Sequence, residues 1–230
     1  MKLRNIVVFG VAVAMAAMIQ TVHASLSLAQ LASGGTISIG DKTFSGFSYT
    51  ESGLTSFDAA NITVTAYQND GVDYLTWSGN ISLVGVNATA DLKLNYIVTA
   101  SAGAIYMIDQ AYTGSAQNGL LSVDETVATG SFGGTVVAYS HLSTGDLSDP
   151  PAEANDLLNI IPPQSSLYVT KDILLGVGSA VGLISITQVT QSFHQGPAPV
   201  PESPTVIAGA LLLLPFAAST FRILRKKRTV

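Results

Sequence analysis

The chain of 230 residues contains no cysteine. That excludes a disulfide framework, a thiol nucleophile, a thiolate metal site and a lipoprotein-type lipid-bearing cysteine. Charge is scarce as well, at 11% of residues, well below what a coiled coil or a disordered acidic tail carries. Between residues 25 and 201 basic residues are almost missing. Lys42, Lys93 and Lys171 stand there against 14 acids, a net charge of −11. Three lysines over such a length cannot offset backbone phosphates, so this stretch has no nucleic-acid partner. Beyond residue 24 the histidines are His141 and His194, neither with a second ligand at metal spacing, so each reads as a lone surface histidine. No Gly-x-Ser-x-Gly elbow is paired with a suitable His and Asp. These gaps leave no catalytic, cofactor-binding or metal-ligating residue to assign, and no cofactor is expected.

Long apolar runs are missing from the middle and confined to the ends, where they account for much of the mean hydropathy of +0.42. At the start, Lys2 and Arg4 precede an apolar run from Ile6 to Ile19, followed by Val22-His23-Ala24. A basic head, an apolar stretch shorter than the roughly 18 to 20 residues that span a bilayer, and small residues before the cut describe a signal peptide. Residues 1–24 are therefore expected to leave by signal peptidase cleavage between Ala24 and Ser25.

At the other end, residues 196–204 form a proline-rich linker, Gly-Pro-Ala-Pro-Val-Pro-Glu-Ser-Pro. Residues 205–224 are almost wholly apolar and long enough for a transmembrane helix. Residues 225–230 carry Arg225, Lys226, Lys227 and Arg228, a basic cluster that holds its end on the cytoplasmic side. This order of motif, span and basic tail resembles the PEP-CTERM sorting signal of bacterial envelope proteins, with Pro201, Glu202, Ser203 and Pro204 at the motif. It departs from the namesake in one place, Ser203 standing between Glu202 and Pro204. The resemblance implies an exosortase-type membrane protease cutting near Pro201–Glu202, a cell-surface or extracellular destination, and a link to exopolysaccharide and biofilm. A plain single-span anchor is the alternative reading of the same tail. Residues 40–49 also resemble a stretch that opens some ectodomains of this family.

The middle, residues 25–195, reads as all-β. Apolar and polar residues alternate at 61–67 and 91–96, one face toward a core and one toward water. Strands are also expected at 36–39, 43–49, 104–108, 121–127, 135–139, 167–175 and 183–193, the last with a bulge near Val189. Ser78-Gly79-Asn80 reads as a hairpin turn between strands at 74–77 and 81–84. A short helix fits residues 152–161, stopped by Pro162-Pro163. About ten strands of this kind suggest a two-sheet β-sandwich or jelly roll, flanked by a signal helix and a transmembrane helix.

The resulting expectation is an exported, non-enzymatic envelope or matrix protein. The alternative is a carbohydrate- or Ca²⁺-binding module. For the first ligand the candidates are Trp77 and Tyr74, which could stack on a sugar; for the second, the acid-rich loops 69–73 and 146–156. A hydrolase would need paired carboxylates, for which Asp124 with Glu125, or Asp41 with Glu51, are the candidates. The sequons at Asn61, Asn80 and Asn87 read as strand and turn residues.

Overall fold

Alternation with a period of two runs through almost every ordered segment, and the computed structural model turns it into two packed sheets. The structure describes residues 23–146 and 155–196. The expected signal helix, sorting motif, transmembrane helix and basic tail lie outside these, apart from the last two residues of the signal. One sheet has the strand order β1-β4-β5-β12-β7-β10, the other β2-β3-β6-β11-β8-β9, and every pairing is antiparallel. In chain order these are β1 (His23–Ser27), β2 (Ile37–Ile39), β3 (Lys42–Ser52), β4 (Thr63–Asn69), β5 (Val72–Gly85) and β6 (Thr89–Ala100). There follow β7 (Ala104–Gln117), β8 (Gly119–Thr129), β9 (Thr135–Thr144), β10 (Asn155–Gln164), β11 (Ser166–Val177) and β12 (Gly182–Gly196).

From β5 onward the wiring is simple. β8 pairs with β9, β7 with β10, β6 with β11 and β5 with β12, so the chain forms one long hairpin wound into two layers. That winding is the jelly-roll arrangement. β1 and β4 widen one sheet, and β2 and β3 the other. A helix, α1 (Leu28–Ala32), follows β1. Ser27 caps it by accepting from Gln30 N–H, while the Gln30 side chain accepts from Ser27 N–H. It drops Leu28 and Leu31 into the core. Five residues with one capping box are too short to show a helical period.

Two expectations are corrected here. Ser78-Gly79-Asn80 is not a turn: β5 runs straight through it, and the β4–β5 turn sits at Asp70-Gly71, both with positive φ, as a two-residue hairpin requires. Gly79 and Asn80 instead bulge opposite the single residue Thr187 of β12. A Cβ on Gly79 would lie 2.5 Å from Ile62 Cδ1, so the glycine serves close packing. The same Thr187 is the extra residue against β7, which realises the bulge expected near Val189. The expected helix at 152–161 is also wrong where the structure describes it: Asn155–Gln164 is the edge strand β10, with a cis bond at Ile161–Pro162. Ile160 is buried while Leu157 and Ile161 face out, and an edge strand tolerates prolines because one row of its N–H groups needs no partner.

The core between the sheets is aromatic at its centre. Tyr96 packs against Trp77, Phe47, Phe44 and Phe193, with ring centroids between 5.2 and 6.5 Å. Its hydroxyl is fully buried and has no hydrogen-bond partner. Burial, and then the nearby Glu125 carboxylate, push the phenol well above its usual range. Tyr96→Phe therefore removes an unsatisfied polar atom, and is expected to stabilise the fold by about 1 kcal/mol in a denaturant titration. A loss of that size would instead mean that the hydroxyl has a partner.

Two lysines also lie inside. Lys171 on β11 and Lys42 on β3 are 0% and 1% exposed. Lys171 pairs with Glu125 of β8 and donates to Gln110 and Gln191 of the facing sheet. Lys42 pairs with Asp41 at 2.9 Å and with Asp73 of the facing sheet at 2.7 Å. Of the three lysines among the described residues, only Lys93 reaches water, its side chain 45% exposed.

Candidate functional site

A candidate surface emerges from the register of the first sheet. His23, Tyr67, Tyr74, Ser192, Asp109 and Leu157 are successive cross-strand partners on β1, β4, β5, β12, β7 and β10. All project from the outer face, because their strand neighbours Ala66, Leu75, Phe193 and Ile108 are buried. Tyr67 and Tyr74 stack with centroids 4.9 Å apart and planes 7° apart. His23 covers the other face of Tyr67, at 5.7 Å. Tyr74 thus has one ring face against Tyr67, with Ser192 and Asp109 next to it across the sheet. The adjacent row is hydroxylated: Ser25, Thr65, Thr76 and Thr190, linked pairwise by contacts of 2.5 Å (Ser25–Thr65) and 3.4 Å (Thr76–Thr190).

The groups beside Tyr74 favour their uncharged forms. Burial raises the Asp109 carboxyl above the usual carboxylate range, against the pull of His194. Burial likewise lowers His194 below the ordinary imidazole value, with Asp109 opposing. Burial, then Tyr67 and Asp109, raises the Tyr74 phenol. Ser192 Oγ lies 3.1 Å from His194 Nε2. Ser192 is itself 3% exposed and held by His194, so the groups within reach of a ligand are the aromatic wall and the partly exposed His194 and Asp109, which can stack on an apolar sugar face and hydrogen-bond its hydroxyls.

The other residues singled out above fall elsewhere. Trp77 is 2% exposed and points into the core, three residues from Tyr74 and hence on the opposite face of β5. The two therefore form no joint platform. An apolar hollow beside Trp77, lined by Leu28, Ile62, Ile81 and Leu92, holds at most one water. Asp124 faces water while Glu125 faces the core, so adjacent positions on a strand cannot act together. Asp41 and Glu51 lie at opposite ends of β3, roughly 30 Å apart by strand rise. His141 is not lone: its Nδ1 is 2.5 Å from Asp124 Oδ1, to which Tyr139 also donates.

In the loop 69–73, Asp73 turns inward to Lys42, which occupies the place a cation would take. Residues 147–154 of the second acid-rich loop lie outside the described residues. Among the described residues no cluster of three His, Asp or Glu side chains could hold a metal ion. Ala24 and Ser25 lie within β1 at a sheet edge, opposite Ala66 and Thr65.

Sequence reasoning missed the row around Tyr74, because register alone makes it. Tyr67 and Tyr74 are joined by the two-residue hairpin at Asp70-Gly71, which was visible. Ser192, Asp109 and Leu157 come from strands up to 118 residues away, counting from Tyr74 to Ser192 in the sequence.

No protein-family model matches the chain, and no curated protein matches it. Among solved structures it is similar to the enzymatically active domain of bacteriophage CBA120 tailspike protein 4, at 16% identity and a TM-score of 0.32. That match covers 65% of this chain and 20% of the tailspike, so the chain spans only a fifth of that protein. TmCBM61 in complex with β-1,4-galactotriose matches at 10% identity and a TM-score of 0.32, covering 66% of this chain and 90% of that one. A family 12 xyloglucanase from Bacillus licheniformis matches at 9% identity and a TM-score of 0.29, covering 65% and 100%. Similarities of that size establish neither common descent nor a shared function.

Proposed function

We propose that this chain is an exported, non-enzymatic cell-envelope protein whose sandwich holds neutral polysaccharide on the outer face of the first sheet. The observation that carries the ligand reading is the partly exposed Tyr67–Tyr74 stack beside Asp109 and His194. The surface chemistry agrees: threonine and serine hydroxyls line the next row, and two of the three lysines among the described residues are withdrawn into the interior. An exposed face poor in cations suits an uncharged glycan better than an anionic one. The export reading rests on the signal-like start and on the resemblance of Pro201–Pro204, the apolar span and Arg225–Arg228 to a PEP-CTERM tail. By that reading signal peptidase and an exosortase-type protease are its processing partners. Cleavage between Ala24 and Ser25 would also remove His23 from the ring of Tyr67 and free that second face.

Affinity electrophoresis in gels containing neutral β-linked polysaccharides tests the ligand reading. Tyr74→Ala is expected to weaken retention about tenfold, the loss of one stacking contact worth about 1.4 kcal/mol, with the melting curve little changed. Wild-type protein that migrates unretarded in every such gel would sink it. Mass spectrometry of the mature C-terminus tests the sorting reading independently: an end near Pro201 supports it, and recovery of Arg228 favours a plain anchor.

A further inference from the structure

Four polar side chains meet in the interior of the sandwich, among mainly aliphatic and aromatic groups. Lys171 and Glu125 are direct cross-strand partners on β11 and β8, and Gln191 and Gln110 are direct partners on β12 and β7. None is more than 1% exposed. Lys171 Nζ lies 2.5 Å from Gln191 Oε1 and 2.9 Å from Gln110 Oε1, and it also contacts Glu125 Oε2. Gln191 Nε2 donates to Glu125 Oε1 at 3.3 Å. A carbonyl bond is about 1.2 Å long, so Nζ lies within about 4 Å of the Gln191 carbonyl carbon. One carboxylate therefore holds an amine through one oxygen and the amide nitrogen of that same carbonyl through the other. Nucleophile, acyl carbon, leaving group and proton carrier are all in place.

We propose that Lys171 and Gln191 become joined by an isopeptide bond that the folded chain forms by itself, tying β11 of one sheet to β12 of the other. The reactive form of the pair is the free amine beside the protonated Glu125. The Nζ lone pair adds to Cδ of Gln191, forming the new C–N bond. Glu125 accepts one proton from Nζ and delivers one to Nε2. The Cδ–Nε2 bond then breaks and ammonia leaves. An amine and a primary amide give a secondary amide and ammonia, nothing is oxidised or reduced, and Glu125 ends as it began.

The surroundings favour this reaction at this place. Burial lowers the Lys171 ammonium below its usual value, which makes the free amine accessible. A dry interior also keeps water from competing for the acyl carbon. Gln110 is the poorer acyl partner, because its Nε2 donates to Ser140 Oγ and the Val123 carbonyl, and neither can protonate a leaving amine. Lys42 supplies a contrast within the same molecule. It donates to Gln195 Oε1 at 2.8 Å, and Gln195 Nε2 donates to Asp41 at 2.6 Å. There, however, two carboxylates share one Nζ and Asp41 is 23% exposed, so the site is neither dry nor built around a single proton carrier. In a chain without cysteine, the Lys171–Gln191 bond would supply the covalent tie that a disulfide gives other exported domains.

The test is the mass of the full purified chain together with a peptide map. The expected mass is lower than the sequence requires by about 17 Da, one ammonia. An Asp-specific protease cuts before Asp172 and so separates Lys171 from Gln191. The bond then appears as one branched peptide carrying both residues. Glu125→Ala and Lys171→Arg should each restore the full mass and abolish the branch. The wild-type map decides the question even if a variant fails to fold. An unchanged mass overturns the proposal, as does a 17 Da loss traced to a succinimide at Asn118-Gly119 without a branch. A branch to Gln110, or one joining Lys42 to Gln195 in its place, overturns the assignment to this pair.

Discussion

Lys171→Met is expected to lower the stability of the fold by about 3–5 kcal/mol in a denaturant titration, as is Glu125→Leu, because each leaves the other group buried without its partner. Both side chains are 0% exposed, so no solvent is at hand to take over. The double variant Lys171→Met with Glu125→Leu should be more stable than either single variant by about 3 kcal/mol, since no ion is then left alone inside. Gln110 and Gln191 remain direct cross-strand partners and can satisfy one another. Two singles within about 1 kcal/mol of wild type, or a double that is worse than the sum of the singles, would contradict the burial of the pair. Comparing singles with the double isolates the unpaired charge whether or not Lys171 is bonded to Gln191, since all three variants lack that bond or the acid that forms it.

Trp77→Ala is expected to cost about 3–5 kcal/mol, and Trp77→Phe about 1–2 kcal/mol. Trp77 is 2% exposed and packs, tilted, against Tyr96 at 5.2 Å, so truncation opens a hole at the aromatic centre of the core. The indole emission of the wild type should accordingly be that of a dry environment and shift to the red only on unfolding. Trp77→Phe, which keeps the fold, should leave retention by polysaccharide unchanged, because residue 77 faces away from Tyr74. A Trp77→Phe variant that melts like wild type but no longer binds would return Trp77 to the ligand surface.

Some of this architecture could be read along the chain and some could not. The strands at 91–96, 121–127 and 167–175 were legible, because their inward positions alternate with period two over six or more residues. That same alternation contained the interior charges. Glu125 stands in phase with Leu121, Val123 and Val127, and Lys171 in phase with Val169, Ile173 and Leu175, at slots otherwise held by aliphatic residues. Phase was the available signal: a charge count and a search for paired carboxylates do not use it. Gln191 carried no such mark, because the bulge at Thr187 shifts the phase between Ile186 and Val189. Residues 155–164 misled for a related reason: Leu157, Leu158, Ile160 and Ile161 satisfy a helical spacing and a strand spacing equally. The edge position of β10, a tertiary fact, decided between them.

The sequence by itself determined the β class and the acidic, cysteine-free character of the middle. Each follows from composition or from short-range periodicity, which the chain carries locally. Only the tertiary structure decided which strands are neighbours. It thereby placed Tyr74 beside Ser192 and Asp109, sent Trp77 to the opposite face, and brought Lys171 and Glu125 against Gln191 and Gln110. Antiparallel pairing between distant strands depends on how a whole sheet buries one face, and a change of register by one residue reverses every side chain on a strand. No local window of residues contains that information.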